Sequence, residues 1–269
     1  MNNTIMTCEY LMESPFENNR LANKVNPKEF IRDYLQKIIT PCATILDVGC
    51  GPANIAQEIA NAYPDTTVTG LDISAHRLSV VCQALSAKNL SLVAGNVYNL
   101  PFPDDTFDLI FSRMMFEYLK HPLEALKEIK RICKTAGTVL IQDIDGQFVF
   151  QYPEDLQLMS QIEIIFNELK QHTGFDPIVG RKLYHMFYKN GFLNIQTQMT
   201  KYHLIYGKIN SENDQYWKEK IATALPKIRK LTDKKNIDID RAIHSFLNYL
   251  RREDTLTFSN LFTVYGTKQ

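Results

Sequence analysis

The chain has 269 residues, with 30 Lys and Arg balanced by 30 Asp and Glu, and 45% hydrophobic content. That is long enough for one large α/β domain with additions, and the neutral balance argues against a nucleic-acid partner, which usually needs a basic face. No apolar run approaches the length of a membrane span. The N-terminus lacks the apolar core of a signal peptide, and the cysteines are scattered without metal spacing. The expectation is a cytoplasmic protein, without a membrane span or a resident metal.

Apolar residues in 27–39, opened by Pro27, predict an N-terminal helix. After it, short apolar runs alternate with amphipathic ones. Strands are predicted at 44–48, 67–71, 90–94, 107–112 and 138–142. Helices are predicted at 55–62, 75–86 and 122–133. This alternation implies a mostly parallel sheet covered by helices on both faces. Further on, helices are predicted at 154–171 and 181–189, and a strand at 193–206. Residues 211–252 are mainly helical with a break at Pro226, and a closing strand covers 256–266. The reading is a Rossmann-like α/β fold: a mostly parallel, seven-stranded sheet with an antiparallel last strand, N-terminal helices, and a helical insertion between the last two strands. Residues 1–40 form a helical cap, 41–209 with 254–269 the core, and 210–253 a helical lid.

The sharpest local signal is Ile45-Leu46-Asp47-Val48-Gly49-Cys50-Gly51-Pro52-Ala53-Asn54, a buried strand entering a glycine turn that opens a helix. Such a turn lets a ligand approach the backbone at the carboxyl edge of the sheet. The dinucleotide fingerprint fails, because Asn54 stands where its third glycine or alanine belongs. What the turn offers instead is an acid, Asp47, two residues before the first of three alternating small residues, Gly49, Gly51 and Ala53. An acid there suits a ligand end that carries an ammonium and a sulfonium and no pyrophosphate. Asp72, followed by Ile73 at the end of the second strand, is placed to accept from ribose hydroxyls. The alternative is that Asp72 caps the helix starting near Ser74.

With GNVYNLPFPDDTFDLIFSRMMFEYL and RICKTAGTVLIQD added, the stretch from about Ile45 to Asp145 resembles the class I S-adenosylmethionine-dependent methyltransferases, in their ubiquinone-biosynthesis-like and small-molecule branch. The resemblance implies S-adenosyl-L-methionine as cofactor. Asp47, Gly49 and Gly51 would line its methionine end, Asp72 and Ile73 its ribose, and Asn96 with Val97 its adenine, with Arg113 beside it. The segment 17–21 resembles relatives whose front helix folds over the cofactor, so that Arg20 either pairs with the methionine carboxylate or is a solvated surface residue. Ala53, Asn96 and Thr135-Ala136-Gly137 depart from the family's glycine, acid and Pro-Gly-Gly turn. Tyr118 replaces its frequent histidine, which puts a borrowed catalytic role in doubt.

Methyl transfer needs alignment and exclusion of water, with a general base for a hydroxyl nucleophile. His185 is the histidine favoured as base, and Tyr118, Asp143 and Asp145 lie just beyond the fourth and fifth strands, where the two aspartates could equally cap the following turn. Lid aromatics such as Tyr202, Tyr216 and Trp217 read mainly as core, some as a cover over an aromatic or lipophilic substrate. The expected function is methyl transfer to a small-molecule acceptor. The alternatives are other chemistry on the same fold, such as cyclisation, or a non-catalytic cofactor-binding protein.

Overall fold

The structure, a computed structural model, describes residues 11–12, 21, 25–83, 85–235 and 237–269. Its centre is a seven-stranded sheet in the order β3-β2-β1-β4-β5-β7-β6. The strands are β1 (Thr44–Val48), β2 (Thr67–Asp72), β3 (Leu90–Ala94), β4 (Phe107–Arg113), β5 (Cys133–Tyr152), β6 (Leu193–Tyr206) and β7 (Leu256–Thr267). The first five run parallel, and β7 lies antiparallel between β5 and β6. This is the Rossmann-like architecture expected from the alternation of elements.

Successive residues on a strand face opposite sides of the sheet, so a strand covered on both sides is apolar throughout. Leu46, Ile110 and Ile141 pack on one face with helix α4 (Pro122–Ile132). Ile45, Leu109 and Leu140 pack on the other, against helix α2 (Asn54–Ala62) and against Phe30 and Leu35. Truncating such a fully buried Leu or Ile to Ala costs about 2–5 kcal/mol.

The predicted N-terminal helix is a short α1 (Pro27–Phe30) that continues as a π turn, Ile31–Leu35. Helices α3 (Ala75–Cys82), α5 (Leu156–Thr173), α6 (Leu183–Lys189), α7 (Ser211–Thr232) and α8 (Ile239–Leu250) complete the fold. Asn26, Ser74, Asp155, Asn210 and Asp238 cap α1, α3, α5, α7 and α8, each side chain accepting from a backbone N–H of the first turn.

Two predictions need correction. Pro226 does not break the insertion: α7 runs through it, and the interruption falls between Thr232 and Ile239. The fifth strand is far longer than 138–142, and Thr135-Ala136-Gly137 is part of it rather than a turn before it. β7 supplies partners for β5 as far as Gln151 and Tyr152, and Ala136 takes a left-handed φ of 62° within the strand. No helix among the described residues is long and apolar enough to cross a membrane.

Candidate functional site

The strand order reverses at β1, with β2 and β4 on either side, and the crevice beyond such a switch point is where open α/β sheets bind ligands. A cavity opens there. It is lined by Asp47 and the turn after β1, Asp72 and Ile73 after β2, Gly95, Asn96 and Val97 after β3, and Arg113 to Met115 after β4. Leu21 and Val25, from the N-terminal segment, close one side.

The turn is fixed by the neighbouring strands. Gly49 and Cys50 donate their backbone N–H groups to the Leu71 carbonyl at 2.7 and 3.0 Å. Ser112 donates its hydroxyl to the Val48 carbonyl at 2.7 Å. Gly49, Gly51 and Ala53 have φ of 76°, 54° and 56°, so the alternation of small residues corresponds to three left-handed positions that a larger side chain would strain. A Cβ on Gly49 would also lie 2.7 Å from the Met115 sulfur.

Asp72 anchors this geometry. One carboxylate oxygen accepts from Gly51 N at 2.9 Å. The other accepts from Ser74 N at 2.9 Å and from Arg77 Nη1 at 3.0 Å. Ser74, not Asp72, is the helix cap, with its hydroxyl accepting from Arg77 N. Arg77 is itself 4% exposed and lines the cavity. Sequence reasoning missed it; the one signal is its place three residues after a capping serine and five after Asp72.

Asp47 is 3% exposed and lines the cavity. Burial, then the Asp72 charge, pushes its carboxyl well above the usual carboxylate range, and Arg113 partly offsets this. Burial also raises the neighbouring Cys50 thiol, helped by Asp47 and Asp72, so it stays protonated. Burial lowers the Arg113 pKa, while Tyr202, Asp143, Tyr34 and Glu117 favour its charged form. Its Nε donates to Gln142 Oε1 at 2.9 Å. Glu117 and Tyr202 had no sequence signal as neighbours of Arg113, because they arrive from a 3-10 turn (Phe116–Tyr118) and from β6.

The remaining candidates divide. Ile73 is exposed at the cavity wall, and Val97 is buried there. The Asn96 side-chain oxygen accepts from Tyr98 N at 3.0 Å. Tyr118 is buried, lines this cavity and also lines a second one walled in part by the helical insertion. His185 and Asp145 line neither of these two cavities. His185 is exposed on α6, whose buried face is Leu183, Met186 and Phe187. Asp145 is held by Arg181, which donates Nε at 2.7 Å and Nη2 at 2.9 Å. Asp143 accepts from Glu117 N at 3.2 Å and Ile144 N at 2.7 Å. Arg20 lies outside the described residues.

The donor set fits the cofactor that the turn implies. Asp47 puts a buried acid on the cavity wall, where a cationic ligand end would find its counter-charge. Among the described residues, a Cβ on Gly51 would meet only Leu21, at 3.5 Å.

Comparison with known proteins agrees. Residues 46–141 match the methyltransferase-domain family. An uncharacterized methyltransferase of Schizosaccharomyces pombe is 33% identical over 163 residues, 56% of this chain and 56% of that protein. A demethylmenaquinone methyltransferase of Bacillus licheniformis is 33% identical over 114 residues, 42% of this chain and 49% of that one. The chain thus spans about half the length of these curated relatives. Among solved structures, the YcgJ protein of Bacillus subtilis superposes with a TM-score of 0.61 at 19% identity, over 90% of this chain and 99% of that one, a likeness of fold. Residues 46–141 thus resemble a methyltransferase domain, carried on a Rossmann-like fold.

Proposed function

We propose that the protein transfers a methyl group from S-adenosylmethionine to a small-molecule acceptor. The observation that carries this reading is the buried Asp47 carboxylate at the mouth of the Gly49–Gly51 turn, beside an Asp72 locked at the end of β2. When bound, S-adenosylmethionine supplies an activated methyl on a sulfonium.

The residues then have distinct duties. Asp47 holds the ammonium end, and Gly49 and Gly51 allow the ligand against the backbone. Asp72 and Ile73 take the ribose, with Arg77 keeping the Asp72 carboxylate in place. Asn96 and Val97 take the adenine, and Arg113 stands beside the methionine end, joined by Arg20 from the N-terminal segment. Tyr118 positions the acceptor, and residues 210–253 act as a lid that excludes water. The neutral charge balance supports a small molecule rather than nucleic acid as partner. Free Cys42, Cys50, Cys82 and Cys133 support a reducing, cytoplasmic setting.

Calorimetric titration of the wild type and Asp72→Ala with S-adenosylmethionine and its demethylated product tests this. Saturable one-site binding, strongly weakened in the variant, is expected. A folded wild type that binds neither compound would overturn it.

A further inference from the structure

Beyond Tyr118 lies a second, half-open cavity, walled in part by the helical insertion. Its walls come from Ile162, Ile165 and Leu169 of α5, Ala224 and Ile228 of α7, and Phe246 of α8. Tyr118 belongs to the walls of both cavities, so the cofactor cleft and this chamber meet at one side chain. Leu11 and Met12 line the chamber, and Leu21 and Val25 line the cleft.

The chamber's chemistry is narrow. Lys220 is the one charged residue among its described lining. Its ammonium lies over the rings of Trp217, at 5.2 Å, and Tyr216, at 5.8 Å. Neither ring lines the chamber. The lysine therefore turns its head away and contributes its methylene stem to the wall. Among the described lining, a charged ligand group would find only the Tyr118 hydroxyl and the averted Lys220, and would lose its hydration. Hydrocarbon, by contrast, is favoured in proportion to the area it removes from water. Small residues keep the space open: Ala224 and Ala242 stand where larger side chains on α7 and α8 would fill it. An unused void among helices weakens the packing around it, so a chamber that shares Tyr118 with the cleft calls for an occupant.

We propose that this chamber is the tail pocket of the methyl acceptor, which is an amphiphile: a compact polar head that reacts beside Tyr118, carrying a neutral hydrocarbon chain held among α5, α7 and α8. The inference rests on the methyl-transfer reading for the identity of the head, but chain binding is measured separately. Trp217 is the one tryptophan of the chain. Its ring lies 5.6 Å from that of Phe246, a chamber wall residue, so its emission reports occupancy.

The experiment titrates the full-length protein with 4-alkylphenols of increasing chain length, following Trp217 emission, with S-adenosylhomocysteine binding measured in parallel by calorimetry. The expected result is a Kd that falls about fourfold per added methylene, from the transfer free energy of a buried CH2, until the chamber is full. Ala242→Phe should abolish this dependence while S-adenosylhomocysteine binding is kept. If that variant does not fold, the milder Ala242→Val should end the dependence at a shorter chain. A wild type indifferent to chain length overturns the proposal. So does an Ala242→Phe protein that still binds S-adenosylhomocysteine and keeps the wild-type dependence. Loss of S-adenosylhomocysteine binding alone, with the dependence intact and abolished by Ala242→Phe, removes the methyl-transfer reading and leaves the tail pocket standing.

Discussion

Arg77 and Asp72 form an ion pair in which both side chains are almost wholly buried, 3.0 Å apart, at the lip of the cofactor cleft. Removing one partner of such a pair leaves a desolvated charge, whereas removing both does not. Arg77→Met is expected to destabilise the protein by about 3–5 kcal/mol and to weaken S-adenosylmethionine binding, because Asp72 also holds Gly51. The double variant Arg77→Met/Asp72→Asn should recover much of the stability but not the binding. Urea unfolding of the single and double variants, with calorimetry on each, checks both halves.

Asp47 carries the opposite trade. Its folded pKa lies above its unfolded value, because burial and Asp72 disfavour the charge. The ionised form therefore opposes folding. The Asp47 contribution to the stability of the ligand-free protein is most favourable below the unfolded pKa of about 3.9 and is lost as pH rises through the folded value. Asp47→Asn should raise ligand-free stability at neutral pH, by about 0.5–2 kcal/mol, the usual scale for relieving a strained functional site. The gain should vanish at low pH. S-adenosylmethionine affinity should show the reverse trend in the wild type, rising with pH as Asp47 ionises, and should be weak and flat in the variant. Thermal unfolding and binding isotherms across pH measure the two curves.

Gly49 is constrained twice, by its φ of 76° and by the Met115 sulfur where a Cβ would stand. Gly49→Ala should cost about 1–2 kcal/mol for the left-handed backbone and about 1–3 kcal/mol for overpacking. Adding Met115→Ala removes the overpacking but not the backbone strain, so the double variant should recover only part of the stability relative to Met115→Ala alone. A double-mutant cycle in denaturant separates the two contributions.

His185 sits on the solvent side of α6, away from both cavities. Once an acceptor is in hand, His185→Asn should leave turnover unchanged. Tyr118→Ala, by contrast, should lower kcat/KM and raise the acceptor KM, while Tyr118→Phe keeps the wall and separates the hydroxyl's contribution from the ring's. A loss of turnover in His185→Asn would restore it as a candidate base.

The sheet was legible because period and punctuation agreed: apolar runs at β1 and β4 ended at Gly49 and Arg113, and caps such as Ser74 and Asp238 marked the helix starts. The acids of the cleft were legible for the same reason, since each falls at or beside a strand end. What could not be read depended on contacts between distant segments. β5 continues past Asp143 and Asp145 because β7, more than a hundred residues later, supplies its ladder. Pro226 is tolerated in α7, where helix packing against α5 and α8 overrides local preference. His185 was favoured by its neighbourhood in the chain, yet only the burial of Met186 and Phe187 shows which side of α6 it occupies. The chamber under the insertion needs three helices from residues 156–250 to exist at all.

The insertion leaves the sheet from Tyr206 and returns at Leu256, and these two residues are direct register partners on adjacent strands. Its two ends are therefore fastened side by side, as in an oversized hairpin loop, and closing a longer or shorter excursion between them changes the entropy of the fold only slowly with length. A chimera carrying another helical segment between positions 206 and 256 would exchange the α7 and α8 walls of the chamber while its α5 wall and the strands around the cleft remain untouched.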